Sequence, residues 1–352
     1  MIDIHPFSLP LTTPYRWSRG KQTVRGGLIV RMEKDGHVGW GEAAPPPHIP
    51  VDGPALKAEA EAAVEGLNPA APDFIERLDE RAPTPPIRTG ITTALFALRA
   101  AQEGLSLGAY LGKGWRKPAA NVPINGLVGE AAPEDAVARC KNIWGEGIRT
   151  FKIKCTDEHE LDNRRVAAIR EAFPDANLRL DPNEAWTPEN FLGRLEHMAR
   201  HRIDYCEEPV PKEFTLADLK RFAKLREQSP IPIALDQSVT GPDITRRIIE
   251  TGAADVLIMK SQAMGGFDRA VEIIRLAESR SILCVMTSSL ESAVGLTASL
   301  HGAAILPAPL PACGLSLGRF YARDVAKKPA IRDGMMTVPT GLGLGMGEIS
   351  LG

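Results

Sequence analysis

Cysteine is scarce: the 352 residues hold five, Cys140, Cys155, Cys206, Cys284 and Cys313, and none stand in Cys-x-x-Cys spacing. An odd, scattered set excludes a disulfide framework and a thiolate zinc site, and the thiols read as small core residues of a chain kept in a reducing cytoplasm. An excess of either charge is missing too, with 42 basic against 44 acidic side chains and a formal net charge of -2. Without a basic footprint or a polybasic surface, nucleic-acid and membrane partners are not expected, and a small-molecule partner is favoured. Long apolar runs are also lacking. The most apolar stretch, "GLTASLHGAAILPAPLPACGL", is broken by His301 and several prolines, and "MIDIHPFSLP" has no basic segment leading into an apolar one. The chain therefore reads as soluble and unexported, with no low-complexity linker or short repeat.

What is present is a repeated strand-then-helix pattern in a chain too long for one simple core. From Leu28 to Trp40, "LIVRMEKDGHVGW" reads as two strands joined at the Asp35-Gly36 turn. "ALKAEAEAAVEGL" and "TALFALRAAQEGLSLGAYLG" follow with apolar residues at helical spacing. These predict an α+β unit over residues 1–118. Beyond it, "VPINGLV", "TFKIKC", "NLRLDPN", "IDYCEEP", "IPIALDQS", "ADVLIMK" and "ILCVMTSS" each precede a helical pattern. Seven such βα units predict an α/β barrel of parallel strands over residues 119–318. Residues 319–352, with "IRDGMMTVPTGLGLG", read as a tail of short strands and turns packing back on the first unit.

Within "RTFKIKC", Lys152 and Lys154 sit two apart, so a strand points both ammonium groups to one face and Phe151, Ile153 and Cys155 to the other. The position of the charges explains such a pairing. Lys154, Asp181, Glu207, Asp236 and Lys260 each end a separate predicted strand, at separations of 27, 26, 29 and 24 residues. Strand C-terminal ends form the face of a parallel barrel on which active sites are built, so the five converge on one mouth.

Three carboxylates without histidine or thiolate make an all-oxygen donor set suited to magnesium, with manganese as the alternative. Asp181, Glu207 and Asp236 are the expected ligands, and crowding their charges is costly without a cation. Asn183 lies on the same strand face as Asp181 and is a candidate to orient the cluster. Glu208 precedes Pro209, faces away from Glu207 and is a secondary candidate. Lys154 and Lys260 flank a bound substrate, and the like charge of Lys152 is expected to lower the pKa of Lys154 toward that of a base working near neutral pH. The inferred chemistry is proton abstraction next to a carboxylate, the developing charge being stabilised by a cation and an ammonium group.

"FKIKC", "LDPN", "CEEP", "LDQS" and "IMKSQAMGG" resemble, in order and spacing, the enolase superfamily in its muconate-lactonising branch, and "VGWGEAAPPP" is similar to a loop of its capping domain. The resemblance implies a modified (β/α)7β barrel with an α+β capping domain and one magnesium ion. "SRGKQ", "VPINGL", "MTSSLESAVGLT" and "PACGLSLG" look most like the o-succinylbenzoate synthase group. Dipeptide epimerases of the branch carry an Asp-x-Asp pair where this chain has "CGLSLG". Synthases that also racemise N-succinylamino acids carry Arg three residues past the second lysine, where this chain has Ala263. The resemblance implies that Lys154 removes an α-proton and then protonates the departing hydroxide on the same face, while Lys260 stabilises the enediolate. It also implies that Ser288 and Ser289 line the pocket near a succinyl tail, and that Arg19 and Gly20 belong to a capping loop. Racemisation or epimerisation of acylamino acids or dipeptides, or another muconate-cycloisomerase-like activity, is the alternative. Nothing in the sequence fixes the oligomeric state.

Overall fold

The computed structural model describes residues 1–17, 20–212, 215–316 and 320–351. Its first part is an antiparallel meander of β1 (Ile2–Trp17), β2 (Gly20–Lys34) and β3 (His37–Ala43). The β2–β3 turn falls at Asp35 and Gly36, with φ of 52° and 76°, the paired positive angles of a tight hairpin whose twist matches its strands. β1 was not anticipated, because Pro6, Pro10 and Pro14 interrupt its pattern. It is the edge strand of this sheet, where a missing N–H costs no ladder bond.

Four helices follow: α1 (Gly53–Val64), α2 (Phe74–Glu80), α3 (Pro85–Gln102) and α4 (Leu107–Leu111). Leu28, Val30 and Met32 on one face of β2 share a core with Ile87, Ile91, Ala94 and Leu95 of α3. Ile29, on the opposite face, joins the main core instead. Helix and sheet touch through backbone: a Cβ on Gly39 would lie 2.0 Å from the Ala94 carbonyl, and one on Gly41 2.0 Å from that of Gly90. Only glycine fits at these two positions.

The chain then enters β4 (Asn121–Pro123) and β5 (Asn125–Val128), which the sequence reading joined as one strand. Alternation of strand and helix begins with β5: α5 (Pro133–Gly145), β6 (Thr150–Lys154), α6 (His159–Ala172), β7 (Asn177–Asp181), α7 (Phe191–Ala199), β8 (Ile203–Glu207) and α8 (Leu216–Gln228). It continues with β9 (Ile233–Leu235), α9 (Pro242–Thr251), β10 (Val256–Met259), α10 (Ser261–Met264), α11 (Phe267–Glu278), β11 (Leu283–Met286) and α12 (Ala293–Ala303). β5 to β11 form one parallel sheet in sequence order. Residues 313–314 close it: Cys313 bridges Ile124 beside β5, and Gly314 bridges Thr287 beside β11, both in parallel. The result is a seven-fold βα barrel with a minimal eighth strand. Tyr205, Ala234, Val256, Ile258 and Val285 cluster together as the apolar filling expected inside such a barrel.

The C-terminal segment divides its contacts. β12 (Ile331–Arg332) and β13 (Met335–Thr337) form a hairpin on β4, while Tyr321 bridges Leu11 of β1 and Ala322 N–H donates to the Pro10 carbonyl. Farther on, Gly343 exchanges backbone bonds with Leu105 and Leu107, at the start of α4. Among the described residues, no helix is long and apolar enough to cross a membrane.

Candidate active site

Lys152 and Lys154 project from one face of β6, in register with Arg179 and Asp181 of β7. Asp181 and Glu207 end β7 and β8, and Asp236 and Lys260 follow directly on β9 and β10. These charges meet at one end of the barrel. The Lys154 ammonium lies 2.6 Å from Asp181 Oδ2, and that of Lys152 lies 2.9 Å from the same oxygen and 2.6 Å from Glu207 Oε1. The Lys260 ammonium lies 2.5 Å from Asp236 Oδ2. Three carboxylates thus face three amines. Lys154 and Lys260 keep 21% and 29% of their side chains exposed against 14% for Lys152, so the two lysines expected to meet substrate are the more accessible ones.

Burial acts to raise the Asp181 carboxyl, but Lys152 and Lys154 outweigh it and hold the group below its ordinary range. Glu207 goes the other way: burial, reinforced by Asp181 and Asp236 against the opposing charge of Lys152, pushes it up to about 8. Desolvation acts to lower Lys152, yet Asp181, Glu207 and Asp236 hold its ammonium well above the usual lysine value. The expectation that Lys152 acts as a bare like charge on Lys154 is therefore corrected. Lys152 is neutralised by acids from β7 and β8, and both amines share one oxygen of Asp181.

The three carboxylates do not form a ready-made metal cage: among the described residues no three His, Cys, Asp or Glu side chains are grouped to hold an ion. Each acid is instead turned onto an amine. The donor chemistry nevertheless fits a hard cation, because Glu207 Oε2 and Asp236 Oδ1 are buried and make no hydrogen bond. Two orphaned carboxylate oxygens are costly unless something positive meets them.

Asn183 has a left-handed φ of 54°, a conformation asparagine tolerates, and its main-chain N–H donates to Asp181 Oδ1 at 3.2 Å. The orienting contact is thus backbone rather than the side-chain amide expected. Ser288 and Ser289 are buried in the turn after β11. Ser288 N–H donates to the Gly314 carbonyl, tying this turn to the eighth strand. Gly20 opens β2, paired with Trp17, and Arg19 lies outside the described residues.

Several buried polar residues escaped the sequence reading. Arg25 of β2 donates through Nε to the Leu290 carbonyl at 2.9 Å and through Nη2 to that of Ser289 at 3.2 Å. The Tyr321 hydroxyl also donates to Leu290 O, and Leu290 is held at a φ of 64°. Glu42 of β3 accepts from Ser292 N–H at 2.9 Å and Gly295 N–H at 2.8 Å, capping α12 with a carboxylate from the first sheet. The only sequence signal for these was polarity inside otherwise apolar strands.

Residues 135–347 match the family model described as Enolase C-terminal domain-like. The chain belongs to the enolase superfamily. It is 31% identical to an N-succinylamino acid racemase of Thermus thermophilus over 98% of this chain and 93% of that protein. An o-succinylbenzoate synthase of Thermobifida fusca is 32% identical over 62% of this chain and 67% of the relative. Among solved structures, the dipeptide epimerase of Cytophaga hutchinsonii, complexed with Mg and D-Ala-L-Val, superposes with a TM-score of 0.87 at 26% identity, covering 99% of this chain and 95% of that one. As an enolase-superfamily member the chain is an enzyme of a barrel-and-cap family, and these relatives are a racemase, a synthase and an epimerase.

Proposed function

We propose that this enzyme removes a proton next to a substrate carboxylate and expels water from the same face, giving o-succinylbenzoate for menaquinone biosynthesis. The observation that carries the reaction class is the meeting of Lys154 and Lys260, each paired to a different carboxylate, at the mouth of one barrel. Asp181, Glu207 and Asp236 would hold a magnesium ion, which when bound supplies positive charge to a substrate carboxylate. Lys154 takes the α-proton as base and returns a proton to the departing hydroxide. Lys260 keeps its ammonium protonated: desolvation opposes this, but Asp236 and Glu207 hold it above its ordinary value. Its fixed charge therefore faces the enediolate throughout.

Two residue choices favour dehydration over the alternatives. "CGLSLG" at residues 313–318 offers no acid to hold a substrate ammonium, and Ala263 stands where the racemising synthases carry Arg. The second reading is racemisation of an N-succinylamino acid, favoured by the relative aligned over nearly the whole chain. Purified protein with magnesium should consume the cyclohexadiene precursor, followed by loss of diene absorbance. Lys154→Ala and Lys260→Ala should each lower kcat at least about 100-fold, the scale of positioned acid-base catalysis, while Mg2+ binding persists. Exchange of the α-hydrogen of N-succinylamino acids in deuterated water, without dehydration of the precursor, would replace the first reading by the second. Full activity in both lysine variants would refute both.

A further inference from the structure

Glu208 has no part in the chemistry above, yet it is bonded to the ends of all three strands that carry the acids. It follows Glu207 covalently. Its N–H donates to the Ala234 carbonyl of β9 at 2.9 Å, and its carbonyl accepts from Glu184 N–H, three residues past Asp181, at 2.8 Å. Its side chain turns toward β9, where Oε2 accepts the main-chain N–H of Asp236 at 2.6 Å and Oε1 accepts the Ser238 hydroxyl at 3.2 Å. The ammonium of Lys212, four residues on and on a fully buried side chain, meets the same carboxylate and lies 5.0 Å from the centre of the Phe222 ring. A φ of 45° at Glu208 places a non-glycine residue in the left-handed region, a conformation that persists where its surroundings over-determine it.

We infer that Glu208, resting on Lys212, is a positioning residue that fixes the backbone of Asp236 so that the three acids can close on a divalent cation. The inference rests on the metal reading of the site and extends it to a residue outside the donor set. Replacing the Glu208 side chain leaves the Asp236 N–H without its buried acceptor at the point where that strand presents its carboxylate.

The test is a titration of the protein with Mn2+, reading free ion by electron paramagnetic resonance and needing no substrate. Glu208→Ala should weaken Mn2+ binding about 10–100-fold, the usual effect of removing a group that orients a ligand. Glu208→Gln keeps the shape but turns an amide N–H toward either Lys212 or Asp236 N–H, and should weaken binding about tenfold; it carries the test if the alanine variant does not fold. Glu208→Gln combined with Lys212→Met removes the facing ammonium while leaving an acceptor for Asp236 N–H, and should bind within about threefold of the parent. Such rescue would not follow if Glu208 acted only by adding its own negative charge near the ion. Single variants that bind as the parent does, or a double variant as weak as Glu208→Gln, would overturn the inference and leave the metal reading intact. A parent protein that takes up no Mn2+ would overturn both.

Discussion

The balance of three acids and three amines makes Lys152→Met a sharp test of how the site is held together. The lysine contacts Asp181 and Glu207 at 2.9 and 2.6 Å with only 14% of its side chain exposed. Removing one partner of a buried ion pair costs about 3–5 kcal/mol, because uncompensated charge is left behind. Here Glu207 loses its paired amine while Asp181 keeps Lys154 at 2.6 Å, and methionine roughly fills the volume. Unfolding entropy near 2.1 cal/mol/K per residue gives about 0.7 kcal/mol/K for this chain, so Tm in EDTA should fall by about 4–7 °C. The pH assignment follows from the direction of the shift. The ammonium is held above its ordinary value in the folded protein, so its contribution is fully present below the unfolded lysine pKa and is lost only as pH rises through the higher folded one. The effect is therefore complete at pH 7. Saturating Mg2+ should raise Tm more in the variant than in the parent, since binding to the native state adds stability in proportion to affinity and Glu207 in the variant no longer has a paired amine to surrender. Thermal unfolding with EDTA and with Mg2+ measures both effects. A fall below about 1 °C in EDTA would show the pair behaving as a surface salt bridge, and the account of a buried, charge-balanced site would be wrong.

Two further perturbations probe the first sheet, one where it packs on α3 and one where it meets α12. Gly41→Ala drives a Cβ to 2.0 Å from the Gly90 carbonyl and 2.7 Å from the Ala94 nitrogen; it should cost about 3 kcal/mol or abolish soluble expression. Gly129→Ala meets nothing within 4 Å and should stay within about 0.5 kcal/mol of the parent, so equal Tm values for the two variants would refute the close-approach argument. Burial, opposed by the Ser292 and Gly295 donors, pushes Glu42 up to about 7. The native state then keeps a proton that the unfolded chain releases, so this residue's contribution is present below the unfolded carboxylate pKa and about 3 kcal/mol of it is lost as pH rises toward 7. Glu42→Gln should flatten that part of the stability profile in urea titrations, and parallel parent and variant profiles from pH 4.5 to 8 would refute the assignment.

The reaction end of the barrel was legible because one physical rule repeats: a strand, a charged residue at its C-terminal end, and a helix returning the chain about 26 residues later. Alternation also placed Lys152 and Lys154 correctly on one face. What the rule cannot convey is which charges meet across strands, since Lys152 is neutralised by residues 29 and 55 positions away and no local pattern carries that distance. The eighth strand went unmarked for a different reason. Two residues, Cys313 and Gly314, close the barrel through backbone bonds to Pro123, Asn125, Met286 and Ser288, and two residues have no periodicity to read. β1 was hidden by prolines that an edge strand tolerates, and β4 by its continuity with β5, from which it is separated only by the neighbour it pairs with.

The charged row and the turn at residues 288–292 are built on different elements. Lys154, Asp181, Glu207, Asp236 and Lys260 depend on strand ends locked in register. The turn carrying Ser288 and Ser289 is held otherwise, by Arg25 and Glu42 from the first sheet and by Tyr321 from the C-terminal segment. Its main-chain carbonyls and N–H groups are thus fixed by side chains distant in sequence, so a change at Arg25 or Glu42 reaches this turn without touching the five strand-end charges.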